Sequence, residues 1–233
     1  MTANKPLIIL DFDGVLFNSA KEAWAVCEKV ALDHGGSYTS ISLDEFMEFR
    51  RVLTDAWQFA RLYSPKQKLH NFQDLDQVEP GDDDWLFADR FFAARQAMIA
   101  APDWAKSMEP YDFYFDILPM MKALPNQFKI LSTRNEDSIR RTLKYFDDPN
   151  IDVFGQEKIR QYGSKLNVAI AQGWTEADQP SLYIDDMHSH LAPFIGKVDK
   201  CIHASWGYDK PKASSLKPEQ ALSEIRAMLQ IKT

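Results

Sequence analysis

Leu7-Ile-Ile-Leu-Asp11-Phe-Asp13-Gly14-Val-Leu16 is the stretch that decides the fold. Its first four residues form a continuous aliphatic run after Pro6, the pattern of a strand buried on both faces. The run stops at two carboxylates spaced two residues apart, and Gly14 permits a sharp turn directly after them. Two like charges at the end of a buried strand are costly without a cation. Mg²⁺, which takes a few carboxylates together with water and phosphate oxygens, relieves that repulsion and also neutralises an incoming phosphate. The plain alternative for the same residues is an acidic turn that caps a helix.

Comparable units of strand and polar loop recur downstream. They are 128–131 followed by Ser132-Thr133-Arg134, 151–154, and 181–184 followed by Asp185-Asp186. Between them, 113–124, 136–146 and 165–172 carry apolar residues at three- and four-residue spacing, the helical period. Alternating strands and helices predict an α/β fold, a doubly wound, Rossmann-like parallel sheet. In such sheets ligands bind beyond the carboxyl ends of the strands, where Asp11, Asp13, Ser132, Asp185 and Asp186 all fall. Residues 18–110 differ, with amphipathic helices expected at 20–33, 43–63 and 85–100, punctuated by Gly35-Gly36, Pro65 and Pro80-Gly81. The expected organisation is a core of 1–17 and 111–233 interrupted by a helical cap, 18–110. The Asp82-Asp83-Asp84 run reads as a helix start, where acidic groups complement the macrodipole.

A net charge of −7 over 233 residues disfavours a nucleic-acid polymer as partner, because such binding shows as a basic excess or patch. The aliphatic run at residue 7 is far too short to cross a membrane, and no other stretch approaches that length. Cys27 and Cys201 are too few for a disulfide framework and suit a reducing, cytoplasmic setting.

Asp11-Phe-Asp13-Gly-Val-Leu-Phe-Asn-Ser19 resembles the first motif of the haloacid dehalogenase superfamily of hydrolases. The strand ending at Ser132 resembles the second motif. Ser164-Lys165 resembles the third, with Lys158 as the rival lysine, and Leu182-Tyr-Ile-Asp185-Asp186 resembles the fourth. Ala204-Ser-Trp-Gly-Tyr208 is similar to the segment that follows the last motif in phosphoglycolate phosphatase-like members. The helical insert carries no motif of the family.

The resemblance implies that Asp11 attacks phosphorus to form an aspartyl-phosphate, which water then hydrolyses. It implies that Asp13 protonates the leaving alkoxide and later deprotonates the water, and that Ser132 and Lys165 hold the phosphate, with Thr133 and Arg134 beside it. Mg²⁺ is implied at Asp11, Asp13 (through its backbone carbonyl), Asp185 and Asp186. The fourth motif departs from a common family pattern: Ile184 stands where many members have glycine, and Ser189 and His190 stand where many have a further acid. His188 and His190 read as hydrogen-bonding surface groups, since a hard carboxylate site favours Mg²⁺ over zinc.

Dehalogenases of the superfamily typically lack the second aspartate of the first motif, because a leaving halide needs no proton; Asp13 is present. The expectation is therefore a Mg²⁺-dependent phosphatase acting on a small phosphorylated metabolite. The alternatives are a phosphomutase of the same superfamily and a non-catalytic regulatory protein on the same fold. Arg50, Arg51, Trp57 and Arg61 lie on one expected cap helix and are candidates to meet an anionic or aromatic leaving group, although arginines on an amphipathic helix are usually solvated and Trp57 equally suits a core with Val52, Leu53 and Phe59.

Overall fold

In a computed structural model, which describes residues 5–50, 53, 55–65, 79–101 and 103–231, β1 (Leu7–Leu10) forms where the aliphatic run predicts it. The chain turns through Asp11 to Gly14 and enters β2 (Phe17–Asn18), which pairs antiparallel with β3 (Glu109–Pro110). The helices α1 (Ala20–Asp33), α2 (Leu43–Arg50), α3 (Ala56–Tyr63) and α4 (Asp82–Ile99) lie between these two short strands in sequence. Two compact units result, one of residues 1–18 with 109–233 and one of residues 19–108.

The helical unit has its own core, in which Val26, Val30, Phe46, Phe59, Phe87 and Phe91 are buried together. Glu22 is fully buried within it and is met by Arg95, whose Nε and Nη2 donate to its two carboxylate oxygens at 3.0 and 2.8 Å. The single helix expected over 43–63 is two helices, because Asp55 is extended (φ −123°, ψ 150°) and caps a fresh start at Ala56. Gln58 Oε1 accepts the Asp55 backbone N–H at 3.0 Å, half of a capping box. α4 begins three residues before its predicted start, with Asp82, Asp83 and Asp84 filling its first turn as the dipole argument requires.

The other unit is built on a five-stranded parallel sheet. Its members beyond β1 are β4 (Phe128–Leu131), β5 (Asp152–Phe154), β6 (Ser181–Asp185) and β7 (Lys200–His203), in the order β5-β4-β1-β6-β7. The chain starts at the centre, builds outward to β5, then returns past β1 to build the other edge. That reversal beside β1 is the switch point at which open α/β sheets bind ligands. Connections run through α5 (Asp112–Ala123), α6 (Glu136–Tyr145), α7 (Gln156–Tyr162), α8 (Lys165–Ala171) and α9 (His188–Leu191), and α10 (Pro218–Met228) follows β7. Leu7, Ile9, Leu131, Val168, Tyr183 and Phe194 form one buried layer against the sheet. β7 has no counterpart in the sequence reading: Lys-Cys-Ile-His offers neither alternation nor an aliphatic run, and it is ordered by pairing along β6 at the sheet edge.

Candidate active site

Asp11 leaves β1 with its backbone still in the ladder, its N–H donating to the Ile184 carbonyl at 2.9 Å. The side chain is 4% exposed, and its Oδ1 accepts the Phe12 N–H at 2.7 Å. Gly14 makes the turn at φ +81°, and its N–H donates to the Phe17 carbonyl at 2.8 Å. A side chain at residue 14 would also run into the carboxylate of Asp186, as would one at Gly207. The two glycines thus form the walls between which Asp186 is held, and the Tyr208 N–H donates to its Oδ2 at 2.7 Å. Trp206 Nε1 donates to the Val15 carbonyl at 3.0 Å, so the 204–208 segment is fixed against the first loop.

Lys165 is the hub. It is the first residue of α8, capped by Ser164, whose Oγ accepts the Asn167 N–H at 3.1 Å. Its Nζ lies 3.0 Å from Asp11 Oδ2 and 2.7 Å from Asp185 Oδ2. Lys158, the rival lysine, lies half-buried on α7. Asp185 Oδ2 also accepts the Tyr183 hydroxyl, two residues earlier on the same face of β6, and its Oδ1 accepts the Met187 N–H at 2.8 Å. His190 Nδ1 stands 3.3 Å from both Asp185 Oδ2 and Lys165 Nζ.

The electrostatics follow from this packing. Burial pushes the Asp11 carboxyl up to about 6, with Lys165 pulling it down and Asp185 adding to the rise. Burial also acts to raise Asp185, yet Lys165 and His190 hold it below the usual carboxylate range. Burial works against the Lys165 ammonium, and the carboxylates of Asp11 and Asp185 outweigh it and hold the group charged. The Tyr183 hydroxyl is kept protonated by burial and by Asp185, and so remains a donor.

The second-motif residues separate. Ser132 is fully buried at the end of β4, its Oγ accepting the Arg134 N–H at 3.4 Å, whereas Thr133 is exposed. Arg134 turns inward, 4% exposed, and its Nε lies 3.0 and 2.9 Å from the two carboxylate oxygens of Asp13. The sequence reading placed Arg134 beside a phosphate; here its guanidinium meets Asp13. In the helical unit, Arg50 Nη1 donates to the Leu53 carbonyl and Arg61 pairs with the buried Asp84, while Trp57 is half-buried. Arg51 lies outside the described residues.

Asp11, Asp13, Ser132, Arg134, Asp185 and Asp186 therefore lie at the carboxyl ends of β1, β4 and β6 or on the turns that leave them, and Lys165 reaches Asp11 and Asp185 from the start of α8. The site holds four carboxylates and two cations, with Lys165 on Asp11 and Asp185 and Arg134 on Asp13, and the two surplus negative charges match one divalent ion. The donors are hard oxygens on the two segments that leave β1 and β6, a set suited to Mg²⁺. Two participants were not singled out from the sequence, Tyr183 and the site role of His190. The signal for Tyr183 was its place two residues before a strand-end acid, which puts both side chains on one face. His190 sat where many members of the resembled superfamily have an acid, and its approach to Lys165 depends on the placement of α9, which the sequence did not reveal.

No protein-family model matches the sequence, and no curated protein matches it. Solved structures do match across nearly the whole chain. A predicted phosphatase from Clostridium acetobutylicum superimposes with a TM-score of 0.66 at 11% identity, covering 97% of this chain and 100% of the other. A predicted phosphoglycolate phosphatase from Haemophilus somnus gives 0.63 at 13% identity, covering 97% and 100%. A haloacid dehalogenase-like family hydrolase from Streptococcus pneumoniae gives 0.61 at 12% identity, covering 95% and 98%. At such low identity these matches speak to the fold, and the fold of this chain is that of the haloacid dehalogenase-like hydrolases.

Proposed function

We propose that the protein is a Mg²⁺-dependent phosphatase that hydrolyses a small phosphorylated metabolite through an aspartyl-phosphate on Asp11. The observation that carries this reading is Lys165 Nζ bridging Asp11 Oδ2 and Asp185 Oδ2 at 3.0 and 2.7 Å, because it joins the ends of two strands and a helix start around one buried carboxylate. An ordinary surface acid needs no such partner set, and perturbed, buried acids gathered at a ligand-binding sheet edge mark candidate catalytic groups.

Asp11 attacks phosphorus, so that an Asp11 Oδ–P bond forms as the ester P–O bond breaks and its electron pair stays with the leaving oxygen. Asp13, which enters this step protonated once Arg134 has left it, gives that oxygen its proton. In the second half, Asp13 takes a proton from water as the water oxygen bonds phosphorus and the Asp11 Oδ–P bond breaks, restoring the carboxylate. Lys165 holds Asp11 in place and faces the transferring phosphoryl charge, and Ser132 donates to a phosphoryl oxygen. Arg134 exchanges Asp13 for the phosphate when substrate enters, which frees Asp13 for the leaving group. Asp11, Asp185, the Asp13 carbonyl and Asp186 would hold the Mg²⁺. The ion supplies Lewis-acid neutralisation of the phosphoryl oxygens.

Purified protein incubated with Mg²⁺ and a panel of sugar phosphates, phosphoglycolate and nucleotides tests the proposal. Free phosphate should appear, should stop on adding a chelator, and should fall by about 10³-fold or more in Asp11→Asn, as for loss of a nucleophile. An isomerised product in place of free phosphate would make the protein a mutase.

A further inference from the structure

The sequence pairs His188 with His190, but the structure parts them. His190 joins Lys165 and Asp185, while His188 at the start of α9 stacks on His203 at the end of β7, ring centroids 3.8 Å apart and planes within 10°. His203 is 5% exposed, and neither of its ring nitrogens makes a hydrogen bond of normal geometry among the described residues. Burying a polar ring that way is costly unless something else satisfies it. Asp209 completes the group: its Oδ2 accepts the His188 N–H at 3.1 Å and its Oδ1 accepts the Lys210 N–H at 2.8 Å. One nitrogen of each ring and one Asp209 oxygen all lie within 4.8 Å of one another.

We propose that His188, His203 and Asp209 form a second metal site, which takes a divalent cation of the zinc class and not Mg²⁺. Two imidazoles and one carboxylate suit Zn²⁺, Co²⁺ or Ni²⁺, whereas Mg²⁺ favours an all-oxygen shell. His188 Nε2 lies 3.3 Å from the Lys210 carbonyl, and donation there leaves Nδ1 as the ligating nitrogen, the outer hydrogen bond that metal-bound histidines usually carry. Zinc–nitrogen bonds of about 2.0–2.1 Å require the cluster to contract and the parallel rings to open, leaving at least one position for water. The ligands bracket the 204–208 segment, with His203 before it and Asp209 after it. Its Tyr208 N–H donates to Asp186, so an ion there clamps the backbone that holds Asp186 in place.

Cobalt titration of the full-length, untagged, chelator-stripped protein in excess Mg²⁺ tests the site, read by the visible d–d absorption of Co²⁺. One equivalent should bind in the wild type and equally in Asp11→Asn, and Zn²⁺ should displace it. Affinity should fall by at least about tenfold in His188→Ala and in Asp209→Asn, both at half-exposed positions, with circular dichroism reporting that each is folded. Either variant alone suffices as a readout if the other fails to fold. Absence of a bound equivalent in the wild type would overturn the proposal. So would an equivalent that is lost in Asp11→Asn yet retained in the folded His188 or Asp209 variant.

Discussion

Asp185 is met by Lys165, Tyr183, His190 and the Met187 N–H, and these partners differ in what their loss should do. Tyr183→Phe removes one hydroxyl donor and leaves Lys165, His190 and the Met187 N–H in place. It should cost about 1 kcal/mol of stability in urea unfolding and lower turnover by about tenfold or less. Gly14→Ala is harsher, because the residue sits at φ +81° and the new methyl would strike the Asp186 carboxylate. A loss of about 2 kcal/mol or more is expected by the same unfolding measurement, together with weaker Mg²⁺ binding. Asp11, Asp13, Asp185 and Lys165 were legible as candidates because each closes or opens an element in a recognisable motif order. The Arg134–Asp13 contact was not, since residue adjacency gives no direction to a long side chain. The His188–His203 stack was equally hidden, because it joins the start of α9 to the end of β7, two elements that had not been foreseen.

At the scale of elements, α8 exists to aim Lys165. The helix is seven residues long, too short to persist on its own, so its start depends on Ser164 and on packing through Val168 and Ala169. Ser164→Ala should cost about 1 kcal/mol and lower kcat more than it raises KM, since the ground-state phosphate keeps its other contacts while Lys165 loses its fixed aim. Steady-state kinetics beside thermal melts separate the two effects. β1, β4 and β6 were readable because both faces are buried, which leaves a nearly unbroken apolar run in each. β7 was not, because an edge strand needs only one covered side and Lys200 is free to reach out to Glu224 at 2.6 Å. α7, α9 and α10 were also missed. The first two are seven and four residues long, too short for a helical period to show.

Over the whole molecule, the division into two units with separate cores makes stability local. Arg95→Ala strips the guanidinium from Glu22, a fully buried carboxylate inside the helical unit, and breaking such a pair typically costs about 3–5 kcal/mol. Hydrogen exchange followed by peptide mass spectrometry should show faster exchange across α1 and α4, with the strands of the parallel sheet unchanged. The insert itself was visible in the sequence as a change from alternating strands and helices to helices alone. Its internal break at Asp55 was not, because the apolar spacing runs on through it. Asp11 is the residue on which the functional account rests, and its covalent role can be observed directly. The enzyme should be mixed with substrate and Mg²⁺, quenched in acid within a turnover and digested. The peptide containing Asp11 should carry one phosphoryl group, absent from Asp11→Asn; undiminished phosphate release by that variant, with no phosphoryl group trapped on the wild type, would contradict the account.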